Sequence, residues 1–302
     1  MSEASIQLEG LSKRYGSKLA LDGLDLAVEP GTVCGLIGPN GAGKTTTIRM
    51  LLGLSRPTAG RVRVLGLDPM AEPIALKQRV GYVPEQHHIY EWMTARRVLE
   101  FTADVYPTWS VTEQQRLSER LGLPVERKVK DLSRGELAKL ALVIALAHGP
   151  DLLILDEPTS GLDPIVRREF LDAIIELVGE THRSVLFSTH ILSDAERIAD
   201  QIVVLDHGRL SAAGSIDSIR ARFRKVSFLF AEAPDPALEV PGAVRVERGI
   251  REWVAVLAAC SDEAVASLAV TLGATDWSTH PMDLEGAFVE LVRQAGEPEP
   301  TS

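Results

Sequence analysis

The amino-acid sequence predicts an α/β fold built around a buried, mostly parallel sheet. Three segments carry this prediction: TVCGLIG from Thr32, DLLILDE from Asp151 and SVLFSTH from Ser184. Each is continuously apolar rather than alternating, which is typical of parallel strands covered on both faces. Segments with helical patterns separate them, and strands that alternate with helices indicate an α/β core.

The first elements follow one another along the chain. A strand over Thr32–Ile37 leads into a helix that extends to about Leu54. Residues 90–150 are rich in helix formers and predict a helical insertion before the strand of DLLILDE.

A helix over residues 165–178 precedes the third strand. Its apolar positions recur at helical spacing (Phe170, Ala173, Ile174, Leu177), and a turn with Gly179 follows. The segment QIVVLDHGRLSAAG then predicts two strands joined by a hairpin at His207-Gly208.

Composition changes near Phe223, which predicts a main domain over 1–222 and a small α/β domain over 223–302. The small domain has three strand-like segments (VSFLF, AVRVE and EWVAVLA) and helices over 262–272 and 283–293, before a frayed tail, AGEPEPTS. It holds six Lys and Arg against thirteen Asp and Glu, so it is not a basic arm for nucleic acid.

The overall composition is that of an ordinary soluble globular protein. Of its 302 residues, 45% are hydrophobic and 25% are charged. No apolar run reaches the roughly 18 residues of a membrane span. The start, MSEASIQLEG, has no apolar stretch of the secretory kind, so we expect a cytoplasmic protein.

Charge and cysteine usage exclude other classes. A net charge of −10 argues against broad nucleic-acid binding, which needs a cationic face. Cys34 and Cys260 are far apart and are interpreted as reduced thiols. His87 and His88 have no Cys or His partners at the spacing of a metal site, so we predict none there.

The strongest motif is GPNGAGKTT, at 38–46, which has the pattern G-x-x-x-x-G-K-[ST] directly after a strand and at the start of a helix. Backbone N–H groups of such a loop surround the phosphates of a nucleotide, and the helix dipole favours the negative charge. Lys44 reaches the β- and γ-phosphates, and Thr45 holds Mg²⁺. The candidate nucleotide contacts are Gly38, Pro39, Asn40, Gly41, Ala42, Gly43, Lys44, Thr45 and Thr46.

Two acids end the strand of LLILDEP. Asp156 lies at the carboxyl end of a strand, where ligands of α/β proteins collect, and is a candidate for orienting Mg²⁺. Glu157 is the candidate general base that polarises the attacking water. Alternatively, one acid caps a turn. His190, after the next strand, is a candidate γ-phosphate contact, although a histidine at a strand end is commonly structural.

The segment LSRGE, at 132–136, has two interpretations. Ser133 and Glu136 form the pattern of a capping box before a helix that ends near Gly149-Pro150. A helix N-terminus with exposed N–H groups also binds a γ-phosphate. Local sequence does not separate a plain cap from a phosphate contact.

The order of the motifs along the chain distinguishes the two interpretations of LSRGE, because it resembles that of a known family. Phosphate loop, LSRGE helix, LLILDEP, SGLD at 160–163 and STH together resemble the nucleotide-binding subunit of ATP-binding-cassette (ABC) transporters, over about residues 4–222. The resemblance implies a P-loop NTPase with a RecA-like core, an antiparallel β subdomain and a helical signature subdomain. It also implies two Mg·ATP between two copies packed head to tail, each nucleotide held by Lys44 of one chain and by Ser133 and Gly135 of the other.

Further roles follow from the same resemblance. Tyr15 stands where the family stacks an aromatic ring on adenine, the alternative being a plain turn aromatic. Asp163 matches the loop that communicates across the dimer. The family's Mg²⁺-sensing glutamine corresponds to Glu85, with Gln86 as the adjacent alternative.

The LSRGE segment at 132–136 departs from the family pattern at two positions. Arg134 replaces a glycine and Glu136 replaces a glutamine. A carboxylate near an incoming γ-phosphate is unfavourable unless Arg134 or the capping interaction offsets it.

The remaining expectations concern partners. Four residues of HHIYEWMT stand where the family forms a groove that accepts a coupling helix of a membrane permease: Ile89, Tyr90, Trp92 and Met93. Alternatively, these side chains pack inside the helical insertion. The acidic domain over 223–302 and the segment VYPTWS at 105–110 are similar to those of bacterial exporters of antibiotics, peptides or lipids. The expected partners are a second copy or a paralogous ATPase subunit and an integral-membrane permease, which would hold the protein at the inner face of the membrane.

Two other functions remain open. One is a soluble cassette ATPase that acts on DNA or ribosomes, although we find no coiled-coil insertion, second cassette or basic surface pattern. The other is a nucleotide-gated regulatory module with little turnover.

Overall fold

The computed structural model describes residues 4–180 and 183–296. The strands are β1 (Ile6–Tyr15), β2 (Lys18–Val28), β3 (Val33–Ile37), β4 (Ala59–Val64), β5 (Val80–Val83), β6 (Leu152–Asp156), β7 (Ser184–Thr189), β8 (Gln201–Asp206), β9 (Arg209–Ser215), β10 (Phe223–Leu229), β11 (Ala243–Arg248), β12 (Glu252–Ala258) and β13 (Asp276–His280). The helices are α1 (Lys44–Leu51), α2 (Pro73–Arg79), α3 (Ala95–Ala103), α4 (Val111–Arg120), α5 (Arg134–Leu146), α6 (Pro164–Gly179), α7 (Leu192–Ile198), α8 (Ile216–Arg220), α9 (Asp262–Leu272) and α10 (Leu284–Gly296).

Contacts divide the chain into two compact units, Met1–Leu210 and Ser211–Ser302. This boundary lies before the compositional change near Phe223. Most of β9 and all of α8 lie between the two positions in the chain.

The first unit is organised around neighbouring strands in the order β5-β6-β7-β3-β8. The pairings β5/β6, β6/β7, β3/β7 and β3/β8 are parallel, as the continuous apolar segments predicted. Every residue of β6 and β7 is buried, which fits strands covered on both faces.

The register of this sheet aligns the strand ends that carry the motifs. Ile37 lies opposite Thr189 in the β3/β7 pair, and Asp156 lies opposite Ser188 in the β6/β7 pair. Because the strands are parallel, the phosphate loop after β3, the acids Asp156 and Glu157 at the end of β6 and His190 after β7 lie at the same edge of the sheet.

A second, antiparallel sheet has the order β2-β1-β4. Its buried side chains, including Ile6, Leu8 and Leu24, share one hydrophobic core with Leu36 of β3 and Ile48 of α1. The core fixes the phosphate-loop helix between the two sheets.

The helical insertion contains α3, α4, a 3-10 helix (Val129–Asp131) and α5. The N-cap side chains of Thr94, Ser110 and Ser133 each accept a backbone N–H of the following turn, so local capping defines the three helix starts.

Two predicted helix ends are wrong. Helix α1 ends at Leu51, because Gly53 follows with φ of 68° and its position would place a Cβ 2.3 Å from the Pro69 carbonyl oxygen. Helix α6 includes Gly179, which was expected in a turn, because the N–H of Glu180 still donates to the Glu176 carbonyl.

The hairpin at His207-Gly208 is present. Both residues have positive φ, 44° and 81°, as a two-residue turn of type I′ requires. The Gly208 N–H donates to the Ala42 carbonyl at 3.0 Å, so this turn supports the phosphate loop.

The second unit contains an antiparallel sheet of order β11-β12-β10-β13. Its core includes Phe228, Trp253 and Val265 of α9, a helix with the predicted bounds. Strand β13 was not predicted, because this short edge strand alternates only between exposed and half-buried residues. The predicted fraying is wrong at Ala295 and Gly296, which belong to α10; residues 297–302 lie outside the described residues.

Candidate functional site

The phosphate loop needs glycine for steric reasons. A Cβ at Gly38 would lie 2.3 Å from the Leu205 carbonyl oxygen. Gly43 has φ of 110°, and a Cβ there would lie 2.6 Å from Leu21 Cδ2. The backbone can therefore approach β8 and β2 only without side chains, which leaves the loop N–H groups available for an anion.

Lys44 extends from the first turn of α1 back across the loop. Its Nζ donates to the Gly38 carbonyl at 2.7 Å and lies 3.1 Å from Glu157 Oε1. The side chain is only 6% exposed, so its charge is compensated inside the protein. A phosphate that enters the loop would compete with Glu157 for this ammonium group.

Asp156 is buried at the end of β6 between two hydroxyl groups. Ser188 Oγ donates to Asp156 Oδ1 at 2.6 Å, and Thr45 Oγ1 lies 3.4 Å from the same oxygen. Burial raises the pKa of Asp156, and the hydrogen bonds from Ser188 and Thr45 oppose that shift. The carboxylate and hydroxyl oxygens are the hard ligands that Mg²⁺ prefers, so these side chains fit that ion.

Glu157 follows with an unusual backbone conformation. Its φ is 48°, a left-handed value that non-glycine residues rarely adopt, and its N–H donates to Ser188 Oγ at 2.9 Å. The side chain is thereby turned toward Lys44 and toward His190, whose Nδ1 lies 2.8 Å from Glu157 Oε2. Strain of this kind persists where the surrounding structure fixes it, and it is concentrated at functional sites.

Lys44, Glu157 and His190 border a cleft of about 310 Å³, whereas Gly38 and Asp156 are not among its lining residues. Many residues predicted from the sequence line it: Tyr15, Pro39, Asn40, Gly41, Ala42, Gly43, Lys44, Thr45, Thr46, Glu85, Glu157 and His190. Of the two alternatives for the Mg²⁺-sensing position, Glu85 lines the cleft and Gln86 is not among its lining residues.

Tyr15 lies at the carboxyl end of β1 and remains 45% exposed. Lys13 Nζ lies 4.9 Å from the centre of its ring, and the hydroxyl group is 3.4 Å from Ser55 Oγ. The ring borders the cleft with an accessible aromatic surface, as stacking on a flat base requires.

Ser133 and Gly135 do not line this cleft in the part of the chain described. Ser133 caps α5: its Oγ accepts the Glu136 N–H at 3.2 Å, and its own N–H donates to Glu136 Oε2 at 2.8 Å. Gly135 is buried, and a Cβ there would lie 2.5 Å from Val166 Cγ1 of α6.

The Glu136 carboxylate is compensated locally. The Ser133 N–H lowers the pKa of Glu136, and Arg127 Nη1 lies 3.0 Å from its Oε1. Arg134, the other departure from the family pattern, instead lies over Gly161, with its Nη1 2.6 Å from the position of a Cβ there.

Asp163 is the N-cap of α6 and also lies outside the set of residues that line the cleft. Its Oδ1 accepts the N–H groups of Ile165 and Val166 at 3.1 Å. Ser160, three residues earlier, borders the cleft instead.

Three residues at the site, Ser188, Ser160 and Lys18, were not predicted as site residues from the sequence. Ser188 lies in the STH segment, and its signal was a small hydroxyl residue at the end of a buried strand beside the one that carries Asp156. Ser160 is the first residue of the SGLD segment, in which only Asp163 was predicted as a site residue, and Lys18 borders the cleft without a local motif.

The parallel sheet with a glycine-rich loop, a buried lysine and paired acids at one edge defines a P-loop nucleoside triphosphatase. Residues 21–160 match the family described as ABC transporter. A solved structure of the ATP binding subunit of an ABC transporter superposes with a TM-score of 0.64 and 33% identity, over 71% of this chain and 91% of that one.

Two curated relatives give the same result. The daunorubicin resistance ATP-binding protein DrrA3 of Streptomyces coeruleorubidus is 41% identical over 226 residues, 73% of this chain and 71% of that protein. The ABC transporter ATP-binding protein YtrB of Bacillus subtilis (strain 168) is 30% identical over 285 residues, 94% and 97% of the two chains. The chain belongs to the ABC transporter family of ATP-binding proteins, and it is an ABC-type ATPase.

Proposed function

We propose that this ATPase is the energy-supplying subunit of an exporter, closing head to tail as a dimer on two Mg·ATP to drive a separate membrane permease. In this proposal an ATP-binding domain over 1–222 performs the cycle, and the acidic domain over 223–302 is an appendage.

The observation that carries the proposal is the separation of Ser133 from the cleft. The phosphate loop, Glu157 and His190 border one cleft, whereas Ser133 presents a capped helix start that is not part of its lining. Ser133 is exposed, so a second chain can reach it. A nucleotide on one chain is then completed by Ser133 and Gly135 of the other.

The residues of the cleft have distinct proposed roles. Lys44 binds the β- and γ-phosphates, and Tyr15 stacks on the adenine. Glu157 accepts a proton from the attacking water, while His190, bonded to Glu157, orients that carboxylate and contacts the γ-phosphate. Asp163 communicates between the two sites.

Thr45, Asp156 and Glu85 would hold Mg²⁺ near the phosphates. The ion would neutralise charge on the β- and γ-oxygens as it develops. Asp156 is prepared for this role by the Ser188 hydroxyl group, which fixes the orientation of its carboxylate.

An exposed aromatic cluster supports contact with a permease. Tyr90 and Trp92 are 57% and 68% exposed, with ring centres 6.0 Å apart, and Phe101 packs against Tyr90. Large apolar side chains grouped at the surface mark interaction sites. We therefore assign this cluster, with Ile89 and Met93, to a permease at the inner face of the membrane.

No helix among residues 4–180 and 183–296 has the length and apolar character needed to cross a bilayer.

The export direction rests on the similarity to DrrA3, whose name assigns it to daunorubicin resistance. The transported substrate of the present protein would be defined by its permease.

Mixed dimers test the head-to-tail arrangement. Chains with Lys44→Ala are combined with chains that carry Ser133→Arg, and ATP binding and phosphate release are measured on isolated heterodimers. One site then contains both lesions and the other contains none, so binding and part of the turnover should return relative to either parent.

A matched control places both substitutions on the same chain, paired with wild type. Each site then contains one lesion, so we expect neither binding nor turnover to recover. If the first heterodimer binds no more ATP than its parents, the shared-site arrangement is contradicted; binding is measured because coupling between sites can suppress turnover.

A further inference from the structure

A cavity of about 540 Å³ lies apart from the nucleotide cleft, beside the free edge of β4. Three of its lining residues are arginines: Arg56, which follows α1, and Arg61 and Arg63 of β4. Alternation along the strand puts Arg61 and Arg63 on one face, so their charges are close together. We propose that this cavity, the arginine cavity, binds the phosphate group of an organic phosphate.

The lining of the arginine cavity contains three arginines and one acid, so positive charge is in excess there. Among the described residues no ion pair joins Arg56, Arg61 or Arg63 to a carboxylate; Arg63 donates only to the Gly66 carbonyl, at 3.1 Å. The one acid in the lining, Asp68, uses Oδ1 to accept the N–H groups of Met70 and Ala71. The cavity therefore keeps an excess of cationic donors in a chain whose net charge is −10.

The neighbouring strand contributes one negative charge near Arg61, but no ion pair joins the two strands there among the described residues. Glu9 lies opposite Arg61 in the β1/β4 ladder, but its Oε1 accepts from Gln7 Nε2 at 3.0 Å. Gln7 lies opposite Arg63 and carries no charge.

The backbone adds a donor of the kind that phosphates bind. Val64 exchanges both of its backbone hydrogen bonds with Leu67 on the outer side of β4. Because these groups alternate along an antiparallel strand, Val62 directs its N–H to the same outer side, where it lines the cavity. Forked guanidinium donors with a backbone N–H match the oxygens of a phosphate.

Apolar groups suit an organic portion of the ligand. Met50, Pro69 and Met70 line the cavity beside the arginines. The volume accommodates a phosphate with a small organic group, such as the headgroup of an acidic phospholipid or a soluble phosphate ester.

The test uses the full chain in the Lys44→Ala background, which weakens phosphate binding at the loop. Binding of inorganic phosphate and of glycerol 3-phosphate is measured by calorimetry, and flotation is measured with vesicles of phosphatidic acid and of phosphatidylcholine. Arg61→Gln is compared with Arg168→Gln, because Arg168 is an exposed arginine of α6 that does not line the cavity.

We expect Arg61→Gln to weaken phosphate-dependent binding roughly tenfold, as the loss of a charge-assisted hydrogen bond predicts, while Arg168→Gln leaves it unchanged. If Arg61→Gln loses only flotation with phosphatidic acid vesicles, the ligand is a lipid headgroup. If Arg61→Gln loses only binding of the soluble phosphates, the ligand is a soluble ester. Equal binding by the two variants, or no binding of any probe in the Lys44→Ala background, overturns the proposal.

Discussion

The Lys44 ammonium and the Glu157 carboxylate lie 3.1 Å apart, and both side chains are more than nine-tenths buried. The pair joins the residue proposed to bind phosphate to the residue proposed as general base. Entry of a γ-phosphate would draw Lys44 away and leave Glu157 to interact with water and His190.

Substitution of Glu157 by Gln should strongly reduce turnover while ATP binding persists. The amide keeps the size of the side chain but accepts no proton, so phosphate release should fall roughly 10²- to 10⁴-fold. Phosphate release and ATP binding are measured together, with Glu119→Gln on the exposed face of α4 as the control. Unchanged turnover in Glu157→Gln would exclude Glu157 as the base, and negligible turnover in the wild type would favour a regulatory module.

Ser188→Ala should impair the site even though Ser188 is not among the residues that line the cleft. Ser188 accepts the Glu157 N–H and donates to Asp156, so alanine leaves two buried partners unsatisfied. We expect a loss of about 1–3 kcal/mol in the free energy of unfolding and a higher Mg²⁺ requirement for hydrolysis. Chemical denaturation and Mg²⁺ titration check this. Ser118→Ala, at a buried serine on α4, should lower stability without changing the Mg²⁺ requirement.

Asp156→Asn should stabilise the nucleotide-free protein at neutral pH and abolish hydrolysis. Burial raises the pKa of Asp156, so the folded state holds this proton more strongly than the unfolded state. The free energy of unfolding contributed by this group therefore falls as pH rises from the ordinary aspartate pKa through the raised folded value. Above that value the deficit is constant, and asparagine avoids it.

Thermal denaturation of the two proteins across pH measures this difference. The melting temperature of Asp156→Asn should exceed that of wild type at pH 7, and the gap should close in acid. A gap that widens as pH falls would contradict the assigned sign.

The sequence was sufficient for the features that depend on local pattern. The phosphate loop, the acids after β6 and the helix that begins after Ser133 each have a fixed spacing with a physical cause. It was insufficient where tertiary packing decides. The left-handed Glu157 depends on the β6/β7 register, and helix α1 ends early because Gly53 packs against the Pro69 backbone.

The choice between Glu85 and Gln86 shows the same limit. Both follow β5 and both are exposed, so neither composition nor periodicity distinguishes them. Their positions depend on the path of the chain after β5, and only Glu85 lines the cleft.

Gly81→Ala should destabilise the packing of helix α5 against strand β5. Gly81 lies in β5, and a Cβ there would lie 2.2 Å from the Ala145 carbonyl oxygen of α5. The backbone of α5 must move, so we expect a loss of about 1–3 kcal/mol in the free energy of unfolding. Gly179→Ala is the matched control, because nothing lies within 4 Å of its Cβ position and alanine is the better helix former. Equal stability of the two variants would show that α5 tolerates the displacement.

Glu136→Gln should strengthen the interaction with ATP across the proposed dimer. The Ser133 N–H donates to Glu136 Oε2, and a glutamine side-chain oxygen can accept the same bond, so the capping box persists. The exposed ion pair with Arg127 is lost, at a cost of about 1 kcal/mol or less. Removal of the negative charge beside the incoming γ-phosphate should lower KM for ATP roughly fivefold, which corresponds to about 1 kcal/mol.

Glu136→Ala separates charge from capping. It removes the same charge and also the acceptor of the Ser133 N–H, while Ser133 Oγ still accepts the backbone N–H of residue 136, so the Ser133 backbone is held less firmly and stability should fall by about 0.5–1.5 kcal/mol. We therefore expect no gain in KM for alanine, and a gain for glutamine that shrinks as salt screens the charge. Steady-state kinetics at two ionic strengths measure both variants. A KM in Glu136→Gln equal to or above that of wild type at low salt would show that Glu136 lies away from the partner's phosphate.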